Sequence, residues 1–126
     1  MNRNSYPLEL AEKWVRSGDP VRRDCGYGLL YEASKLSGKK APSEEFFLAQ
    51  VERITNTIDG EPENVRMAMG AALMGIGKRN AVLNKAALKV ARAVGPIEFT
   101  SASGKCEPFD VAKHLSTDRL KEKLGV

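Results

Sequence analysis

Apolar residues recur along this chain at helical spacing, and each periodic run is bracketed by a capping residue or a glycine. After Ser5 and Pro7, Leu10 and Trp14 stand four residues apart, as do Ala11 and Val15, which predicts a first helix halted at Gly18. Asp19 caps a second, with Pro20 in its first turn and Val21, Cys25, Leu29 and Ala33 as its apolar row before Gly38. Beyond the polar link from Lys39 to Pro42, Ser43 caps a third. There Phe47, Val51, Ile54 and Ile58 follow the i, i+4, i+7, i+11 pattern until Asp59 and Gly60.

A fourth helix follows Pro62, with Val65, Ala68, Met69, Ala72, Leu73 and Ile76 on one face, and stops at Gly77. Asn80 caps a fifth, whose apolar face is Leu83, Ala87, Val90 and Val94 and whose end is Gly95 and Pro96. Residues 97 to 107 read as an irregular segment, and 108 to 115 and 116 to 124 as two short terminal helices, the second capped by Ser116. No strand alternation interrupts the series, so the predicted class is all-α.

The second and fourth helices also echo one another. Val21, Arg22, Gly26 and Leu29 are matched by Val65, Arg66, Gly70 and Leu73 at a constant offset of 44. A two-helix unit repeating at roughly 40 to 47 residues is the period of HEAT-like repeats, in which no unit buries its apolar face alone. The expected architecture is a short α-solenoid of HEAT-like helix pairs, one domain over residues 1 to 126.

Composition supports this reading and removes alternatives. The chain has 126 residues, of which 42% are hydrophobic and 29% charged, as in an ordinary globular domain. No apolar run nears the roughly 20 residues that span a bilayer, and Met1 to Ser5 lacks the apolar stretch of a signal peptide, so a cytoplasmic protein without membrane contact is expected. Cys25 and Cys106 are expected to be small buried side chains rather than a disulfide. With the single His114, they form no ligand set for zinc and no hydrolase triad. No cofactor is expected. His114 reads as a surface or capping residue, and Phe46, Phe47, Met67, Met69, Met74 and Trp14 as packing residues.

Twenty Lys and Arg against 16 Asp and Glu give a net charge of +4, so the distribution of charge matters more than the sum. On the predicted fifth helix Lys85, Lys89 and Arg92 recur at i, i+4, i+7 opposite the apolar face, just after Lys78 and Arg79. Arg22, Arg23 and Arg66, on equivalent helices, are expected to extend this stripe as phosphate contacts. Asp19 and Asp24 are explained as a helix cap and a local partner.

The stretch Asn64-Val65-Arg66-Met67-Ala68-Met69-Gly70, followed by Ala72-Leu73-Met74-Gly75-Ile76-Gly77-Lys78-Arg79-Asn80, resembles the bacterial AlkD-type DNA alkylation repair family. Val94-Gly95-Pro96-Ile97, Lys105-Cys106 and Lys13-Trp14-Val15-Arg16-Ser17 with Arg23 add to the likeness, which maps onto the C-terminal half of that family's domain. The resemblance implies a HEAT-like solenoid holding duplex DNA, alkylated or abasic, on a basic face. Glycosylase members remove positively charged alkylated purines. The family's catalytic Arg corresponds to Arg23, allowing a one-residue shift. The Trp and catalytic Asp of its Trp-rich segment have no counterpart here, and Ala71 stands where a further aromatic is expected. Glycosidic cleavage builds oxocarbenium character that a carboxylate stabilises, and aromatic rings hold a cationic base, so both losses remove catalytic power.

The expected function is therefore DNA binding with weak or absent glycosylase activity. The alternative is a helical scaffold for protein partners, in which the exposed end near Leu10 and Trp14 takes a partner chain or a second copy as a homodimer.

Overall fold

The computed structural model describes residues 8–98 and 108–126. Helices α1 (Leu8–Val15), α2 (Pro20–Ala33), α3 (Glu44–Thr57), α4 (Glu63–Gly77), α5 (Ala81–Val94), α6 (Val111–Leu115) and α7 (Asp118–Leu124) follow in chain order, with single 3-10 turns at Gly38–Lys40 and Ile58–Gly60. The capping chemistry holds these boundaries. The Asp19 carboxylate accepts from the Val21 amide, the Ser43 hydroxyl from Phe46 and the Asn80 side chain from Leu83. At the start of α7 Thr117, not Ser116, is the cap, because the Ser116 hydroxyl donates backward to the Ala112 carbonyl.

The helices stack as repeating pairs in two layers. α2, α4 and α6 form one layer, with the broadest contact between α2 and α4; α3 and α5 pack side by side in the other, and α1 lies against α2. This is the HEAT-like arrangement, and the offset of 44 has a direct physical trace: the Asn64 side chain at the start of α4 reaches the Pro20 carbonyl at the start of α2. A continuous core runs through the stack, with Phe47, Val51, Ile54 and Ile58 from α3, Val65, Met69, Leu73 and Ile76 from α4, and Leu83, Ala87 and Val90 from α5 all buried. Within the segment expected to be irregular, Ile97 pairs with Phe109 in an isolated antiparallel bridge, while 99–107 lie outside the described residues.

The expected apolar row of α2 is a correction. Val21 is 65% exposed and Cys25 is exposed, whereas Gly26, Tyr27, Leu30 and Ala33 are buried. Two neighbours, α1 and α4, set the buried arc. Gly26 lets the α1 backbone come so close that an added Cβ would lie 2.7 Å from the Val15 nitrogen, and the large Tyr27 ring fills the space beside it. The equivalent residues of α4 sit inside the stack, so Val65 and Met69 are fully buried where Val21 and Cys25 face outward. Cys106 lies outside the described residues. No described helix is long and apolar enough to cross a membrane.

Candidate nucleic-acid interface

The eight basic residues expected to contact DNA divide into two kinds. Arg23 and Arg79 are held by the fold. The Arg23 guanidinium donates two hydrogen bonds to the Glu61 carboxylate, Nε to Oε2 at 2.8 Å and Nη2 to Oε1 at 2.9 Å, and a third to the Ser17 carbonyl. With side-chain exposures of 18% and 11%, this bidentate pair ties the α1–α2 turn to the segment before α4. Tyr27 is packed in the same joint. Its burial pushes the phenol pKa up to about 12, and Glu61 adds to the effect against the opposing influence of Arg53, a Thr57 hydrogen bond and Arg23.

Arg79, in the turn between α4 and α5, donates to the Ser34 and Leu36 carbonyls at 2.6 and 2.8 Å, and its guanidinium carbon lies 4.7 Å from the Phe47 ring centroid. It satisfies carbonyls that the end of α2 leaves open and places a cation at the negative pole of that helix. The acidic neighbours are committed too: Asp19 caps α2, and Asp24 accepts from Asn64 at 3.3 Å.

Arg22, Lys78, Lys85, Lys89 and Arg92 are exposed and take part in no ion pair among the described residues. Arg66 is half-buried, and its Nε has no hydrogen-bond partner there. These residues do not form one stripe. Arg22 and Arg66 sit in the first turns of α2 and α4, and Lys78 stands twelve residues after Arg66, which separates them by roughly 18 Å along the helix. Tertiary packing builds two denser clusters instead. Lys85 and Arg92 of α5 meet Lys121 of α7 around a depression of about 440 Å³ floored by Val82, Leu88 and Val126. Lys78 and Arg79 meet Lys35 and Lys123 around a cleft of about 520 Å³ at the C-terminal ends of α2 and α4, beside Tyr31 and Met74.

Lys35 lies 4.3 Å from the Tyr31 ring centroid and 3.4 Å from Glu32. Desolvation works against its charge, but Glu32 and Tyr31 outweigh that and raise its pKa. Lys35, Lys121 and Lys123 were not among the residues expected from the sequence. Lys121 and Lys123 stand on a seven-residue helix whose packing direction no repeat announces, and only their alternation with Leu120 and Leu124 hints at two basic flanks. His114 is exposed, as expected, with its ring 5.9 Å from that of Phe109.

The architecture is that of a HEAT-like helical repeat protein. No protein-family model matches the sequence, and no curated protein matches it. Among solved structures, the fold matches a protein from a family related to the HEAT-like repeat DNA glycosylases with affinity for branched DNA structures, at a TM-score of 0.74 and 23% sequence identity. The match covers 94% of this chain and 50% of the other, so the chain spans about half the length of that protein. At this identity the likeness is one of fold.

Proposed function

We propose that this chain binds DNA through its sugar-phosphate backbone and that its DNA-binding surface lies at the α5 and α7 end of the stack. The observation that carries the reading is the set of exposed cations Lys85, Lys89, Arg92 and Lys121, none of which has an acidic partner among the described residues. Unpaired cations from separate elements suit a polyanion, because each phosphate they neutralise releases condensed counterions. The affinity for branched DNA of the structural neighbour's family supports the same reading. Such contacts position a duplex without reading its sequence.

Glycosidic cleavage is not part of this proposal. Arg23, the residue corresponding to the catalytic Arg of the resembled family, spends its guanidinium on Glu61 and Ser17, so its role is to join two repeats. The test is fluorescence anisotropy of linear, abasic-analogue and branched DNA titrated with protein at several salt concentrations. Affinity that falls steeply with salt is expected. Absence of binding at low salt overturns the proposal. That result would favour a protein-binding scaffold, for which Val82 at 52% and Val126 at 54% exposure provide an apolar contact surface.

A further inference from the structure

The depression between α5 and α7 has two features that phosphate contacts leave unexplained. The first is its floor. Val82 and Val126 are exposed there, and Leu88 lines it with them. Aliphatic surface gains nothing from a phosphate, but it sheds water when an apolar group covers it. The second is Asn84, which lines the depression although it is only 2% exposed. Its Nδ2 donates to the Gly77 carbonyl and to the Leu115 carbonyl, both at 3.0 Å. Two carbonyl acceptors fix the orientation of the amide, since an oxygen cannot stand in for a donor against them. Both N–H groups are thereby used, and Oδ1 remains an acceptor with no donor among the described residues. This oxygen is not closed off from solvent, and because Asn84 lines the depression a ligand donor reaches it from that side. Around both features stand Lys85, Arg92 and Lys121, and no acidic side chain lines the depression.

The combination selects among anions. DNA would pair with the three cations but leave the aliphatic floor bare, and an unstacked base seeks an aromatic ring, of which the lining has none. A peptide offers all three complements, namely an aliphatic side chain, a backbone N–H and carboxylates. The N–H must be free, which a helix interior does not provide, so the peptide is extended where it meets Asn84. We infer that the depression docks an extended, acidic peptide segment of a partner protein. One aliphatic side chain the size of Leu covers Val82, Leu88 and Val126, its backbone N–H donates to Asn84 Oδ1, and flanking Asp or Glu carboxylates face Lys85, Arg92 and Lys121. The depression, of about 440 Å³, has room for one such side chain with the backbone beside it. This inference goes beyond the DNA-binding reading and does not depend on it. The two ligands draw on the same cations, however, so the acidic segment competes with DNA.

The experiment measures anisotropy of a labelled peptide in which a single Leu is flanked on each side by Asp-Glu-Asp. Three control peptides replace the Leu with Ser, replace the acidic residues with Asn and Gln, or methylate the Leu backbone nitrogen. The last tests the Asn84 contact from the ligand side, because Asn84 itself joins α5 to the ends of α4 and α6 and its substitution would disturb the fold. The parent peptide is expected to bind at low salt. The Ser peptide should bind about tenfold more weakly through loss of one buried aliphatic side chain. Methylation should cost about fivefold or more, and the neutral peptide should lose both affinity and salt dependence. Val82→Ser should weaken the parent peptide and leave the Ser peptide unchanged; the site is exposed, and matching thermal midpoints verify folding. Linear duplex should displace the parent peptide.

Equal affinity for the Leu and Ser peptides overturns the docking inference, because charge alone is then recognised. Absence of peptide binding at low salt also overturns it, and DNA binding in the same buffer leaves the DNA reading standing. Peptide binding without DNA binding supports the inference and overturns the DNA reading instead. A methylated peptide that binds as well as its parent overturns the role of Asn84, and a peptide that stays bound under saturating duplex overturns the shared use of the cations.

Discussion

The joint between the first two helix pairs and the α5–α7 end are both rich in cations, yet they use them in opposite ways. At the joint, Arg23 is saturated by Glu61 and Ser17 and Tyr27 is buried beside it, so positive charge is spent on holding one repeat against the next. At the α5–α7 end, Lys85, Lys89, Arg92 and Lys121 extend into solvent with no acidic partner among the described residues. A cation that has lost most of its hydration must find its partner inside the fold, whereas one that keeps its hydration stays available to a polyanion.

This contrast can be broken from either side, and the largest effect is expected at the joint. Arg23→Ala leaves the Glu61 carboxylate largely buried without its bidentate donor, and it should lower stability by about 3 kcal/mol. Denaturant unfolding checks this, with DNA affinity per folded molecule unchanged; a drop in affinity at constant stability would return Arg23 to the binding surface. The next effect concerns alkaline pH. The Tyr27 phenol ionises near 10 when unfolded and near 12 when folded, so between those values the unfolded state binds fewer protons and stability falls as pH rises. The loss should approach about 2 to 3 kcal/mol above pH 12 and be small below pH 10. Tyr27→Phe should flatten this part of the stability profile, and an unchanged slope would assign it to other groups.

The free side gives smaller energies and a different readout. Replacing Lys85, Lys89 and Arg92 with Gln should alter stability by no more than about 0.5 kcal/mol. Duplex affinity should fall about tenfold at moderate salt, and the slope of log affinity against log salt should become less steep by up to about 3. Titration at four or five salt concentrations separates this from a general loss of fold. The smallest effect is expected for Arg22→Gln. Arg22 is solvent-exposed but remote from the two clusters, so stability should not change and affinity should change less than twofold; a larger loss would extend the surface along α2.

The fold was largely legible because helix grammar is local. Caps at Asp19, Ser43 and Asn80 act within three residues of themselves, and the row Phe47, Val51, Ile54, Ile58 is buried as its spacing requires. The candidate surface was legible only in part. Lys85, Lys89 and Arg92 were readable because they share one helix face, but the continuous stripe expected from Arg22 through Arg92 is interrupted. Arg23 and Arg79 have partners 38 and 45 residues away, and no spacing rule reaches so far.

The sequence by itself determined the five main helices with their caps and the solvent face of α5, because each depends on a few consecutive turns of one helix, and it showed the 44-residue repeat because α2 and α4 carry the same local pattern. Only the tertiary structure decided which face of α2 is buried, which arginines are consumed and how α7 divides the exposed cations into two clusters. Those outcomes depend on how separate helices approach one another, and such distances are set by the packing of the whole stack.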